Sequence, residues 1–272
     1  MARKRKKKQK DIFTGILAVA LTMAALLLMV FSAPRAEAPV VTEPPVVTFP
    51  PLDESVYGPG DFGYVDGYLT CLAGESVLGI DVSSHQGQVD WAQVKAAGVE
   101  FVMIRLGYRG YTTGALCVDD YVKQNLFEAR AAGLKIGVYF YSQAISIEEA
   151  REEAAFALKI LGKTRLDMPF VYDWEYVSPD ARTGNVDSRT LTDCTIAFCE
   201  AVEEAGYQPM VYFNSHLARD NFLLEELAEY PFWLAMYQDE MDFPYHVEMW
   251  QYTQTGSVPG IVGDVDIDLY LP

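Results

Sequence analysis

Two carboxylates stand two residues apart in the mostly apolar run Val171-Tyr172-Asp173-Trp174-Glu175-Tyr176. If that run is a strand, its side chains alternate, so Asp173 and Glu175 share one face and Trp174 takes the other. Paired carboxylates on an apolar face lose hydration and repel each other, which raises the pKa of at least one. A carboxyl group still protonated near neutral pH can donate a proton to a glycosidic oxygen. An isolated Asp-x-Glu pair also fits a solvated strand end, so its company decides. Asp81 sits near the end of the run Gly79-Ile80-Asp81-Val82-Ser83, and Asp266 lies in the last apolar run of the chain. Tyr139, Tyr141, Tyr212, Tyr237 and Trp250 fall near the ends of other runs. Their flat rings suit the apolar C–H faces of sugars, although each also fits core packing. His85 follows Asp81 closely and is open between ligand, proton carrier and structural partner, whereas His216 and His246 are expected in loops without a role. No cysteine/histidine cluster, glycine-rich phosphate loop or serine elbow is present, so neither a metal nor a cofactor is expected.

Side chains this scattered need a scaffold that gathers strand ends. From Val77 onward, short apolar runs alternate with helical patterns. Strands are predicted at 77–83, 101–107, 135–142, 169–176 and 209–215. The segments between them, and a further helix near 217–228, place apolar residues three or four apart, as one buried helix face requires. Three of these helices close on Ala97-Gly98, Ala132-Gly133 and Ala205-Gly206, the expected residue just past a helix end. The remainder is strand only, in FWLAMYQ, VEMWQYT and DVDIDLY. Five βα units followed by three strands predict an α/β fold, an irregular (β/α)5(β)3 TIM-like barrel, with an open parallel sheet as the plainer alternative. A barrel brings the C-terminal strand ends, and with them the acids and aromatics, to one mouth.

The chain before this region is of another kind. Residues 1–11 are a basic tail, and no charged residue occurs from Ile12 to Pro34. Residues 12–33 are therefore expected to be a transmembrane signal-anchor helix with the basic end in the cytoplasm and the rest of the chain outside. Ala36-Glu37-Ala38 offers a competing signal-cleavage site, but Pro39 follows it directly. The Pro/Gly-rich segment 34–76 is expected to be a linker, its first part an extended spacer with six prolines from Pro34 to Pro51. The formal charge of -17 understates the acidity of the body, because residues 12–272 carry 14 basic against 37 acidic side chains, a formal -23. Nucleic acid is excluded as a partner on that charge, whereas an uncharged glycan is not. The four cysteines are expected to be buried small residues, with a Cys71–Cys117 bridge left open, and oligomeric state is not legible.

Several of these residues also occur together in a known order. Gly79-Ile80-Asp81-Val82-Ser83, Asp90-Trp91, the strand with Arg105 and Gly107, Asp173-x-Glu175, Trp250-Gln251-Tyr252 and Val265-Asp266 resemble glycoside hydrolase family 25, the Chalaropsis-type lysozymes. The resemblance covers about 77–272, which it marks as the catalytic domain, and implies the barrel expected above. It implies hydrolysis of the β-1,4 bond between N-acetylmuramic acid and N-acetylglucosamine in peptidoglycan. It implies Glu175 as general acid, Asp173 as the residue that orients the acetamido group or assists attack, and Asp81 and Asp266 as supporting acids. Arg105 joins the tyrosines and Trp250 as a substrate-binding candidate. The chain departs from the family at Tyr139-Phe140-Tyr141, where many members have Tyr-His-Phe. A chitinase-like reading fails on Met168 and Val171, which stand where its motif needs acids. A silent wall-binding module has no chemical need for all four acids.

Overall fold

The computed structural model describes residues 2–31 and 48–272. Contacts divide the chain into two compact units, Met1–Val47 and Thr48–Pro272. In the first, one continuous helix, α1 (Ala2–Phe31), takes in both the basic stretch and the apolar run. Among the described residues, no helix is long and apolar enough to cross a membrane. The end of the expected span at 32–33, the Ala36-Glu37-Ala38 site and the expected spacer up to 47 lie outside the described residues.

The second unit opens with a hairpin, β1 (Phe62–Val65) and β2 (Tyr68–Cys71). Next come β3 (Val77–Val82), α2 (Trp91–Ala96), β4 (Phe101–Arg109), a short β5 (Leu116–Val118) and α3 (Val122–Ala131). They are followed by β6 (Lys135–Ser142), α4 (Ile147–Leu161), β7 (Phe170–Trp174), α5 (Ser188–Glu204), β8 (Pro209–Asn214) and α6 (Ser215–Asp220). The chain ends on β9 (Phe232–Ala235), β10 (Met249–Gly256) and β11 (Val265–Tyr270). Eight strands pair in the order β3-β11-β10-β9-β8-β7-β6-β4, and pairing of β3 with β4 closes the barrel. Helices α2, α4, α5 and α6 start where the sequence supplies a cap, since Asp90, Ser146, Asp187 and Asn214 accept first-turn N–H groups. Gly98, Gly133 and Gly206, at φ of 95°, 82° and 86°, follow α2, α3 and α5 in a conformation that other residues rarely adopt.

Alternation along the strands divides the core in two. Phe101, Met103, Val171, Met210, Trp233 and Met249 fill the barrel interior. Their sequence neighbours, among them Val102, Ile104, Phe170, Tyr172 and Val211, pack outside under the helices. Gly79 faces inward where a Cβ would lie 2.1 Å from the Phe101 ring. Strand β11 runs antiparallel to both β10 and β3, so its beginning, not its end, lies at the rim formed by the C-terminal ends of the other strands. That reversal sets Asp266 opposite Asp81 in register.

Three expectations are corrected. The helix expected near 217–228 is α6, ending at Asp220, followed by a 3-10 turn at Leu224–Leu227, and His216 lies on α6 with Asp220 2.7 Å away. The part of the expected linker from 48 to 76 belongs to the barrel unit. Among the described residues no helix follows β9 or β10 in the barrel unit, so the outer face of β10 needs apolar cover, which the hairpin supplies. Phe62 meets Trp250 edge to face at 4.9 Å, and Leu69 N–H donates to the Tyr252 hydroxyl at 3.4 Å. All four cysteines are free, so Cys71 and Cys117 form no bridge, and Cys117 is half-buried, not buried.

Candidate active site

A cavity of about 250 Å³ opens at the rim where the parallel strands end. Asp81, Asp173, Glu175 and Asp266 line it, joined by Arg105, Tyr139, Tyr141, Tyr212 and Tyr237. These are nine of the ten site residues expected from the sequence. Trp250 is the exception and is corrected here. It is fully buried on the outer face of β10, and its indole N–H donates to the Met236 carbonyl at 2.8 Å. Strand parity turns its neighbour Gln251 into the cavity instead. The same parity puts Trp174 outside, donating to the Ala144 carbonyl at 2.9 Å, while Asp173 and Glu175 face the cavity.

Four residues without an assigned role belong to this site or brace it. Gln251 donates to Asp81 Oδ2 at 2.7 Å and accepts from the hydroxyls of Tyr212 and Tyr237 at 3.2 and 3.1 Å. Asp268, two residues after Asp266 and therefore on the same face, is fully buried and accepts the Trp233 indole N–H at 2.9 Å. Asp119 holds Arg105 at 2.8 Å and accepts the Ser84 backbone N–H at 2.9 Å, tying β4 to the loop after β3. Gln143 donates to the Glu175 carbonyl at 2.6 Å and so fixes the chain just past the end of β7. Strand alternation from Trp250 and Asp266 points to the first and second of these, whereas no sequence signal points to the other two. His85 also lines the cavity.

The electrostatics follow from burial of many acids against a single guanidinium in the cavity. Burial pushes Asp81 well above the usual carboxylate range, the charges of Asp266 and Asp268 push further, and the Gln251 bond opposes them. Asp173 is raised well above its ordinary value by burial and by Glu175, against the pull of Arg105, and its Oδ1 has no hydrogen-bond partner. Glu175 is raised by burial and then by Asp266. Asp266 is held at about 6 by burial, opposed by its own backbone N–H. Raised carboxyls that repel one another lose their protons in steps, which is the setting in which one acid can donate while a neighbour accepts.

Residues 80–261 match the description Glycosyl hydrolases family 25, which is more than half of the chain. The chain belongs to glycoside hydrolase family 25. It is 32% identical over 196 residues to the autolytic lysozyme of Clostridium acetobutylicum, covering 70% of this chain and 54% of that protein. It is 28% identical over 206 residues to the uncharacterised protein YegX of Escherichia coli, covering 73% of this chain and 71% of that one. Among solved structures it resembles the modular autolysin LytC of Streptococcus pneumoniae in complex with a synthetic peptidoglycan ligand. That match has a TM-score of 0.65 at 26% identity and covers 81% of this chain and 52% of LytC. The chain thus spans about half the length of both the Clostridium and the Streptococcus proteins. Its fold and family are those of the lysozyme-type glycoside hydrolases.

Proposed function

We propose that this family 25 chain hydrolyses the β-1,4 bond between N-acetylmuramic acid and N-acetylglucosamine in peptidoglycan. The observation that supports it most is the convergence of Asp81, Asp173, Glu175 and Asp266, from three strands and one strand end, in a cavity walled by tyrosines. In this reading Glu175, its carboxyl raised by burial and by Asp266, donates its proton to the glycosidic oxygen as the C1–O bond breaks. The leaving sugar departs as an alcohol, and Glu175 is left as a carboxylate able to take a proton from the incoming water. Asp173 orients the acetamido group or the attacking water beside C1, and Asp81 and Asp266 act as supporting acids, the ionised member of the pair stabilising the positive charge that develops there. The tyrosines pack on the sugar faces, and Arg105 offsets part of the negative charge.

The pH dependence follows from the same geometry. Glu175 acts as an acid only while protonated, so kcat falls as pH rises through its raised value. Glu175→Gln keeps the shape of the side chain without a transferable proton. It is expected to retain binding to insoluble peptidoglycan while losing about two to four orders of magnitude in turnover. Unchanged turnover in that variant would remove Glu175 from the role.

The same proposal includes attachment to the cell membrane, with the barrel on the outer side. It is supported by the uncharged stretch from Ile12 to Pro34 behind a basic tail. The full chain is expected to stay with membranes after carbonate extraction, while residues 48–272 are released. Release of both forms would refute anchoring.

A further inference from the structure

We infer that Gln251 is the positioning residue of this site, fixing the direction of the hydrogen bonds that join Asp81 to Tyr212 and Tyr237, so that both phenol oxygens meet the sugar as acceptors. The inference rests on the glycosidase reading above and deepens it. The side-chain amide has two unlike ends, and each end is committed. Its nitrogen lies 2.7 Å from Asp81 Oδ2. While Asp81 is ionised, the reverse orientation would set an amide oxygen against a carboxylate oxygen at that distance, with no hydrogen between them. With the nitrogen on Asp81, the amide oxygen faces Tyr212 at 3.2 Å and Tyr237 at 3.1 Å. A carbonyl oxygen has two lone pairs and no hydrogen, so both hydroxyls must donate to it.

Each phenol has one hydrogen, and that hydrogen is now spent. What Tyr212 and Tyr237 offer to the cavity is a pair of acceptor oxygens, so the sugar group opposite them has to be a donor. An acetamido N–H or a ring hydroxyl satisfies this, whereas an ether or carbonyl oxygen does not. Gln251 is itself held in place, because it is only 4% exposed and lies on β10 next to the outward-facing Trp250. One buried amide therefore sets the polarity of one wall of the cavity and supplies a fixed donor to Asp81, the acid on the neighbouring wall.

Two substitutions in the full chain separate positioning from packing. Gln251→Met keeps the length and lacks both amide functions. Gln251→Glu keeps the acceptor and can donate to Asp81 only while protonated. Asp81 and His85, Arg105, Tyr139 and Tyr141, Asp173 and Glu175, and Asp266 face the same space in every variant. The parent profile is therefore the reference. Gln251→Met is expected to lose about tenfold or more in kcat/KM at every pH. Gln251→Glu is expected to match that loss near neutral pH and to recover to within about threefold of the parent as its own carboxyl protonates. Carbon-13 NMR of the Asp81 carboxyl gives a readout without turnover, and in Gln251→Met its titration should move upward, because a donor to the carboxylate is gone. A Gln251→Glu profile parallel to the parent, a fully active Gln251→Met, or an unmoved Asp81 titration would each overturn the inference. A parent with no hydrolytic activity would instead refute the glycosidase reading, and the Asp81 titration would still decide the role of Gln251.

Discussion

Replacing Asp266 with asparagine should make the protein more stable at alkaline pH. Asp266 stands opposite Asp81 across β11 and β3, and burial holds its carboxyl up from an ordinary 3.8 to about 6. An acid whose folded pKa lies above its unfolded pKa leaves stability intact below the unfolded value and removes it as pH rises through the folded one. Moving from 3.8 to about 6 corresponds to a loss of about 3 kcal/mol once Asp266 is ionised in both states. Asparagine has nearly the same shape and no charge. It also removes a charge that raises Asp81, Glu175 and Asp268, so its secondary effects have the same sign. At pH 8 the variant should be about 2–3 kcal/mol more stable than the parent, or roughly 4–12 °C higher in Tm for a domain of this size. At pH 4 the two should nearly coincide. Urea titrations followed by tryptophan fluorescence at both pH values make the comparison. No gain at pH 8, or the same gain at both, would refute the assignment of a half-buried, raised carboxyl at this position.

The buried ion pair behind the cavity offers a second test. Arg109 donates to Glu153 at 2.7 Å, and Glu153 is fully buried with its carboxyl already at about 7. Arg109→Met leaves Glu153 with only the Ser142 and Gln143 donors, so at pH 8 it must either stay charged without its cation or take up a proton. The substitution should therefore cost about 3–5 kcal/mol at pH 8, and less at pH 5, where Glu153 is already protonated. Adding Glu153→Gln should restore most of the loss, as urea titrations at the two pH values would show. In the hairpin, Phe62→Ala removes the ring packed on Trp250 and should cost about 3–5 kcal/mol. Limited proteolysis should then cut first within 48–76, and an unchanged digestion pattern would mean that the hairpin does not depend on that contact.

The barrel was legible because its strands read as apolar runs and its helices end on Ala-Gly pairs, two local signals that the tertiary structure does not override. Asp173 and Glu175 were legible for the same reason, since period two alone puts them on one face. Trp250 fails at the same step. Its flat ring suggested a sugar platform, but the pleat turns it outward, and the polar neighbour Gln251 takes the place in the cavity. Asp119 and Gln143 brace the site across 14 and 32 residues of chain, to Arg105 and Glu175 respectively. No local pattern encodes such contacts. The hairpin at 62–71 was hidden because Gly and Tyr in short strands resemble linker composition, and only the bare outer face of β10 explains why it docks.

The most direct test of the central claim is the identity of the cut. The full chain would be incubated with purified peptidoglycan, the products reduced with borohydride, and the fragments analysed by mass spectrometry beside a Glu175→Gln control. Fragments ending in reduced N-acetylmuramic acid, and lost in the control, are the predicted result. Fragments ending in reduced N-acetylglucosamine would move the cut to the other bond, and binding to the wall with no fragments at all would contradict catalysis.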